Sequence, residues 1–309
     1  MAGVPGPLAR RLPRLPFPFS APTVPEGVET LPTKPRAGAD YDTAWARRYP
    51  ARLARVALVE AVARPAVAAL ARPERHGLDR LAQLADAGGP VIFAGNHHSH
   101  VDTPLLVTSI PEPWRHKLFV GAAADYFFRT RTTSALSALA LGAIPIERTK
   151  VGRRSADRAA ALLAAGWSML IFPEGGRSPD GWGQPFRGGA AYLALRCDVP
   201  VVPVHIEGSG RILRKGRKLP SPASTRVTFG SPLVPAEGDD SRRFGAAVER
   251  AVAALADEAT TDWWSARRRA HAGDTPALVG PDAPAWRRAW ALGDPDRART
   301  RRRRRWPDI

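Results

Sequence analysis

Within the stretch Asn96-His-His-Ser-His-Val-Asp102, three histidines and an aspartate fall inside six consecutive positions. His97 and Asp102 stand five residues apart, so a turn leading into a helix can bring the carboxylate onto one imidazole nitrogen and leave the other facing a substrate. Such a couple is a general base: the aspartate fixes the tautomer and stabilises the imidazolium, and the histidine takes a proton from an incoming hydroxyl. The rival chemistry is a metal site, because His98 and His100 add two more imidazoles. With one cysteine in the chain, Cys197, and no second histidine-rich segment, carboxylates would have to complete its ligand set. Cys197 sits late in an alanine-rich helical stretch and reads as a packing residue.

The apolar run at 90–95 (PVIFAG) is the element that must deliver these residues, and it has the length and composition of a buried strand. Further β-type runs occupy 143–147, 168–173, 199–207 and 226–230, with helical stretches at 155–166 and 188–197 between them and an amphipathic one at 241–259. The alternation predicts an α/β fold: a central mixed β-sheet flanked by helices, with a helical C-terminal extension through 261–273. In open sheets of this class the ligand crevice lies at the strand ends, where Asn96 and His97 emerge. The run GSGRIL (208–213) lacks the third glycine of a dinucleotide fingerprint and no phosphate-binding loop pattern occurs, so any group transferred must arrive already activated.

Two other strand ends carry chemistry of their own, GAIPIER (142–148) and FPEGGRS (172–178). Together with NHHSHVD (96–102) and VPVVPVHI (199–206), in this order, they resemble the four motif blocks of the glycerolipid acyltransferases, the lysophosphatidate and glycerol-3-phosphate acyltransferase superfamily. Each block alone is a weak pattern; four in order are specific. The match spans about residues 90–235. The resemblance implies an acyltransferase-like fold with His97 and Asp102 as the catalytic pair. It further implies that Arg148 contacts the acceptor's phosphate or polar head, and that Glu174, Gly175, Gly176 and Arg177 line the acceptor pocket. An arginine fork suits a phosphate dianion, and a glycine-rich turn exposes backbone donors to it. Two positions depart from the family pattern: Glu147 stands where an aspartate is common, and Gly176 where a threonine is usual. Both bear on which acceptor is taken.

The implied reaction passes a fatty acyl group from acyl-CoA, or an acyl-carrier protein, to the free hydroxyl of a lysophospholipid such as 1-acylglycerol-3-phosphate. It uses no cofactor. Two rival classes are a metal-dependent hydrolase built on the histidines and a non-catalytic binder of anionic lipid.

Composition frames these readings. Arginine supplies nearly all of the 46 Lys+Arg against 29 Asp+Glu, for a net charge of +17, so anionic partners are expected; the arginine, alanine and proline excess suggests a GC-rich bacterial source. The expected partner is an anionic membrane surface rather than a specific nucleic acid. No run of about 18 apolar residues occurs and prolines and arginines break up the first 20, so the expected location is cytoplasmic, peripheral at the inner face of the cell membrane. The stretch 51–72 reads as a surface helix kinked at Arg64-Pro65, or as a helix lying in the membrane interface, and Trp263 and Trp264 as core or interface anchors. Three segments are expected: an irregular arm at 1–40 with nine prolines, a domain at 41–270, and a tail at 271–309 whose seven arginines between Arg297 and Arg305 leave it disordered.

Overall fold

The computed structural model describes residues 38, 40–146, 153–213, 219–284, 286–288 and 292. The arm expected at 1–40 lies outside these residues except for 38 and 40. The arginine run at 297–305 and the block-two residues Glu147 and Arg148 also lie outside the described residues.

Seven strands make one sheet: β1 (Pro73–His76), β2 (Ile92–Gly95), β3 (Leu118–Ala123), β4 (Ala143–Ile146), β5 (Ser168–Ile171), β6 (Val201–Glu207) and β7 (Thr225–Phe229). Their order is β1-β7-β6-β2-β5-β3-β4. All neighbours run parallel except β6 and β7, so the sheet is mixed, as expected. Five of the seven strands answer to the apolar runs of the sequence. β1 and β3 do not. β1 is a charged edge strand (PERH) with only its proline half-buried, and β3 ends in small residues (LFVGAA) that carry little strand signal.

The central strands β2, β3 and β5 are buried on both sides, and their side chains alternate between two cores with the two-residue period of a pleated strand. On β2, Phe93 faces one core and Ile92 and Ala94 the other. On β3 and β5 the same split puts Val120 and Leu170 with Phe93, and Phe119 and Met169 with Ile92. The helix Asp102–Ser109 closes the first core through Leu105 and Leu106, joined by Val59 and Val67 from the N-terminal helices. Helices Arg153–Ala164, Gly189–Cys197 and Ser241–Thr260 close the second through Leu163, Ala191 and Val248. Phe93 is fully buried and also meets Trp114 and Phe229 edge-on, so Phe93→Ala would cost about 3–5 kcal/mol.

The helical stretch expected at 51–72 runs from Tyr49 to Ala71 without a break. Just before Pro65 it widens into a π-helical turn, Val59–Ala63, in which the Arg64 N–H reaches back to Val59 O. The wider turn adapts the helix to a ring that lacks a donor. The C-terminal extension is helical: Trp263–Ala272 folds back on Ser241–Thr260, held by the Arg269 fork on the buried Asp257 at 2.6 and 2.8 Å. Within the stretch 271–309, expected to be a tail, Leu278 and Arg288 make contacts with the loop at 180–183. Arg288 Nε sits 2.7 Å from Asp180 Oδ2, the Trp182 indole donates to Arg288 O at 2.9 Å, and Gly183 N donates to Leu278 O at 2.9 Å. Partners supplied by a distant loop leave no trace in local periodicity. Among the described residues, no helix is long and apolar enough to cross a membrane.

Candidate active site

The site starts where β2 ends. Asn96 is buried, and its side-chain amide spans to β6: Nδ2 donates to Ile206 O at 2.9 Å and Oδ1 accepts from Ile206 N at 2.7 Å. The main chain then leaves the sheet and turns into the helix that begins at Asp102. At this turn a single carboxylate oxygen, Asp102 Oδ2, gathers three groups. It lies 2.9 Å from His97 Nδ1 and accepts the backbone N–H groups of His98 and Ser99, each at 2.7 Å. Asp102 is fully buried, while the His97 side chain keeps 17% of its surface exposed. With Nδ1–H donated to the carboxylate, Nε2 is left as the accepting nitrogen. The imidazole lies flat on Phe172, with centroids 4.1 Å apart and planes 15° apart, which fixes its remaining freedom.

The third block holds the same loop from the other side. β5 ends at Ile171, and Phe172–Arg177 makes a tight turn beneath His97, with Gly175 at φ +70°, a left-handed conformation suited to glycine. Glu174 is 2% exposed and its carboxylate is used up internally: Oε1 accepts His97 N at 2.8 Å and Oε2 accepts Gln184 N at 3.0 Å. Ser178 N in turn donates to His97 O at 2.8 Å. The backbone of His97 is therefore clamped through both its N–H and its carbonyl. Burial pushes the Glu174 carboxyl up to about 7, against the opposing pull of the two backbone donors.

His97, Glu174, Gly175, Gly176 and Arg177 all border one cleft of about 420 Å³, a size suited to a small ligand or part of a lipid. Its walls are apolar, from Phe127, Leu141, Ile146 and Ile171, and its polar groups gather with His97, Arg177 and Arg187. Arg187 packs over the glycine turn, its Nε 2.9 Å from the point a Gly175 side chain would occupy. Arg177 lies 6.0 Å from the centre of the Tyr126 ring, which stacks on His100.

The structure brings together every site residue read from the sequence that falls among the described ones: His97, Asp102, Glu174, Gly175, Gly176 and Arg177. Arg148 follows β4 by two positions and lies outside the described residues. Glu174 borders the cleft, and its carboxylate also accepts the backbone N–H of His97. The three histidines diverge. His97 pairs with Asp102, His100 stacks on Tyr126, and His98 turns inward, held below the usual imidazole range by burial. No group of three or more His, Cys, Asp or Glu among the described residues converges as a metal-binding cluster. Phe172 and Gln184 were missed from sequence; the first stands two positions before the motif glutamate, and the second acts partly through its main chain.

Residues 72–207 match the family model described as Acyltransferase. A chloroplastic 1-acyl-sn-glycerol-3-phosphate acyltransferase of Brassica napus is 28% identical over 163 residues, 52% of this chain and 45% of that protein. Over residues 72–207 the chain is thus similar to the glycerolipid acyltransferases. The alpha 1-acyl-sn-glycerol-3-phosphate acyltransferase of Mus musculus is 26% identical over 185 residues, 56% of this chain and 61% of that protein. The chain thus spans about half the length of the curated relatives it matches. The crystal structure of the 1-acyl-sn-glycerophosphate acyltransferase of Thermotoga maritima superposes with a TM-score of 0.54 at 22% identity, over 72% of this chain and 84% of that one. The two sequence blocks around His97 and Glu174 are the two loops that hold one another beside the cleft.

Proposed function

We propose that the protein is an O-acyltransferase that moves a fatty acyl group from a thioester, acyl-CoA or acyl-carrier protein, to the free hydroxyl of a lysophospholipid such as 1-acylglycerol-3-phosphate. The observation that carries this reading is the His97–Asp102 couple at a cleft whose walls are apolar and whose polar end holds Arg177 and Arg187. A hydrocarbon chain and a phosphate need surfaces of those two kinds. His97 Nε2 takes the acceptor's hydroxyl proton as the oxygen bonds to the thioester carbon. The tetrahedral intermediate collapses, the C–S bond breaks, and the leaving thiolate takes the proton back from the imidazolium. Asp102 stabilises that imidazolium through Nδ1, and no acyl-enzyme is needed. The implied acceptor is a membrane lipid, so the protein is placed at the cytoplasmic face of an anionic membrane.

The reading is tested by free-thiol release from a panel of acyl-CoAs with different lysophospholipids. His97→Ala is expected to lower turnover by about 10³, within the range a general base supplies. A purified, folded variant that keeps more than about a tenth of wild-type turnover refutes the base assignment.

A further inference from the structure

The helix Trp263–Ala272 leaves two indoles in water. Trp263 is 50% exposed and Trp264 63%, and their rings stack with centroids 6.1 Å apart. One turn further on, Arg267 and Arg268 are also exposed, and the Arg267 guanidinium lies 5.7 Å from the centre of the Trp263 ring. A pair of adjacent tryptophans gains little from the fold when so much of it is bare, and here only Ala266 of the helix is buried. The platform is nonetheless rigid. Asp262 caps the helix by accepting Ser265 N at 2.9 Å, and Arg269 anchors it to the buried Asp257. Its position is fixed as well. Arg226 Nη1 donates to Ala259 O at 2.9 Å, tying the last turn of the preceding helix to the start of β7. Arg226 pairs in register with Glu207, the last residue of β6, at the sheet edge where β2 and β5 also end beside the cleft.

We propose that Trp263 and Trp264, flanked by Arg267 and Arg268, form a docking surface for an anionic membrane. Indoles have an apolar body and a polar N–H, which suits them to the headgroup boundary. Arginines spaced four residues after each indole lie on the same face of the helix and meet lipid phosphates at that depth. The charge is complementary to an anionic leaflet, and the nearest acid in sequence, Asp262, is occupied as the helix cap. This surface is separate from the cleft, and its test reads binding without turnover, so the proposal and the proposed reaction fail independently.

The test uses the full chain in flotation with phosphatidylcholine vesicles, with and without phosphatidylglycerol, at low and high ionic strength. The double variant Trp263→Ser/Trp264→Ser is expected to lose at least about tenfold in partitioning, and to keep that deficit at high salt, where apolar insertion persists and charge attraction is screened. Arg267→Gln/Arg268→Gln is expected to lose binding only on the phosphatidylglycerol vesicles and only at low salt. Thermal melting and thiol release with a dispersed short-chain acceptor are expected to match wild type in both. Equal partitioning of the tryptophan variant and wild type at high salt overturns the proposal. So does a loss confined to self-association in sedimentation, which assigns the indoles to a second copy of the chain, or one confined to oligonucleotide binding.

Discussion

Replacing Glu174 by glutamine separates two roles for this residue, a group that lines the acceptor pocket and a clamp that positions the base. The folded carboxyl titrates near 7 instead of the ordinary 4.5 because it is buried, so between those values the folded protein holds a proton that the unfolded chain has lost. Stability therefore falls as pH rises through this window, the reverse of a salt-bridged carboxylate. Integrating the two titrations, wild type should lose about 2 kcal/mol between about pH 5.5 and about pH 8 through this group alone, and about 3.4 kcal/mol over the whole of both titrations. The glutamine variant cannot titrate, so the difference between the two urea unfolding curves, measured at both pH values, isolates Glu174 from every other group. Activity should move separately. A glutamine can accept from only one of the two backbone N–H groups and turns its own NH2 toward the other, leaving buried donors face to face at a cost of about 1–3 kcal/mol. Expressed as misplacement of His97, that cost lowers kcat by about 10- to 100-fold, with the acceptor's KM unchanged. An equal pH dependence in variant and wild type, or a loss that appears in KM alone, refutes the clamp.

Asp102→Asn should lower kcat by about 10² or more and also lower the melting temperature, because His97 and two backbone N–H groups share the one oxygen that loses its charge; activity and melting of the purified variant check both. Gly175→Ala should cost about 1–2 kcal/mol in urea unfolding, since φ +70° is strained for alanine, and should disturb Arg187, whose guanidinium occupies the space the new methyl needs. Arg148→Ala should lower kcat/KM for the acceptor by about 10- to 100-fold and leave the donor's KM unchanged, the loss of one charge-assisted pair; an equal penalty on the donor would move this residue to the thioester side.

Legibility in the sequence followed distance along the chain. His97 and Asp102 could be paired from sequence because five residues and one turn connect them, and β2 was visible as an apolar run bounded by Gly95. The work of Glu174 could not be read, because the groups it binds are backbone N–H donors, one of them 77 positions away, and a backbone donor has no residue type to betray it. Distance along the chain also hid the contact of Arg288 with Asp180, 108 positions away. β1 and β3 escaped for a different cause. An edge strand paired on one side tolerates charge, and a strand bordering the cleft is trimmed to Gly121 and alanines, because a side chain at Gly121 would run into Ile146 and Met169.

The Asn96 side chain has a consequence for how this site can vary. By giving and taking one hydrogen bond with the two sides of Ile206, it acts as a spare peptide unit: the ladder between β2 and β6 gains one more rung after the main chain of β2 has already turned away. An aspartate here would lose the donor and a leucine both bonds, whereas the residues after it are released from any duty to the sheet. His100, the one of the next four residues that borders the cleft, can therefore be exchanged and the mouth of the cleft reshaped, while the hinge from which His97 swings out stays welded to the middle of the fold.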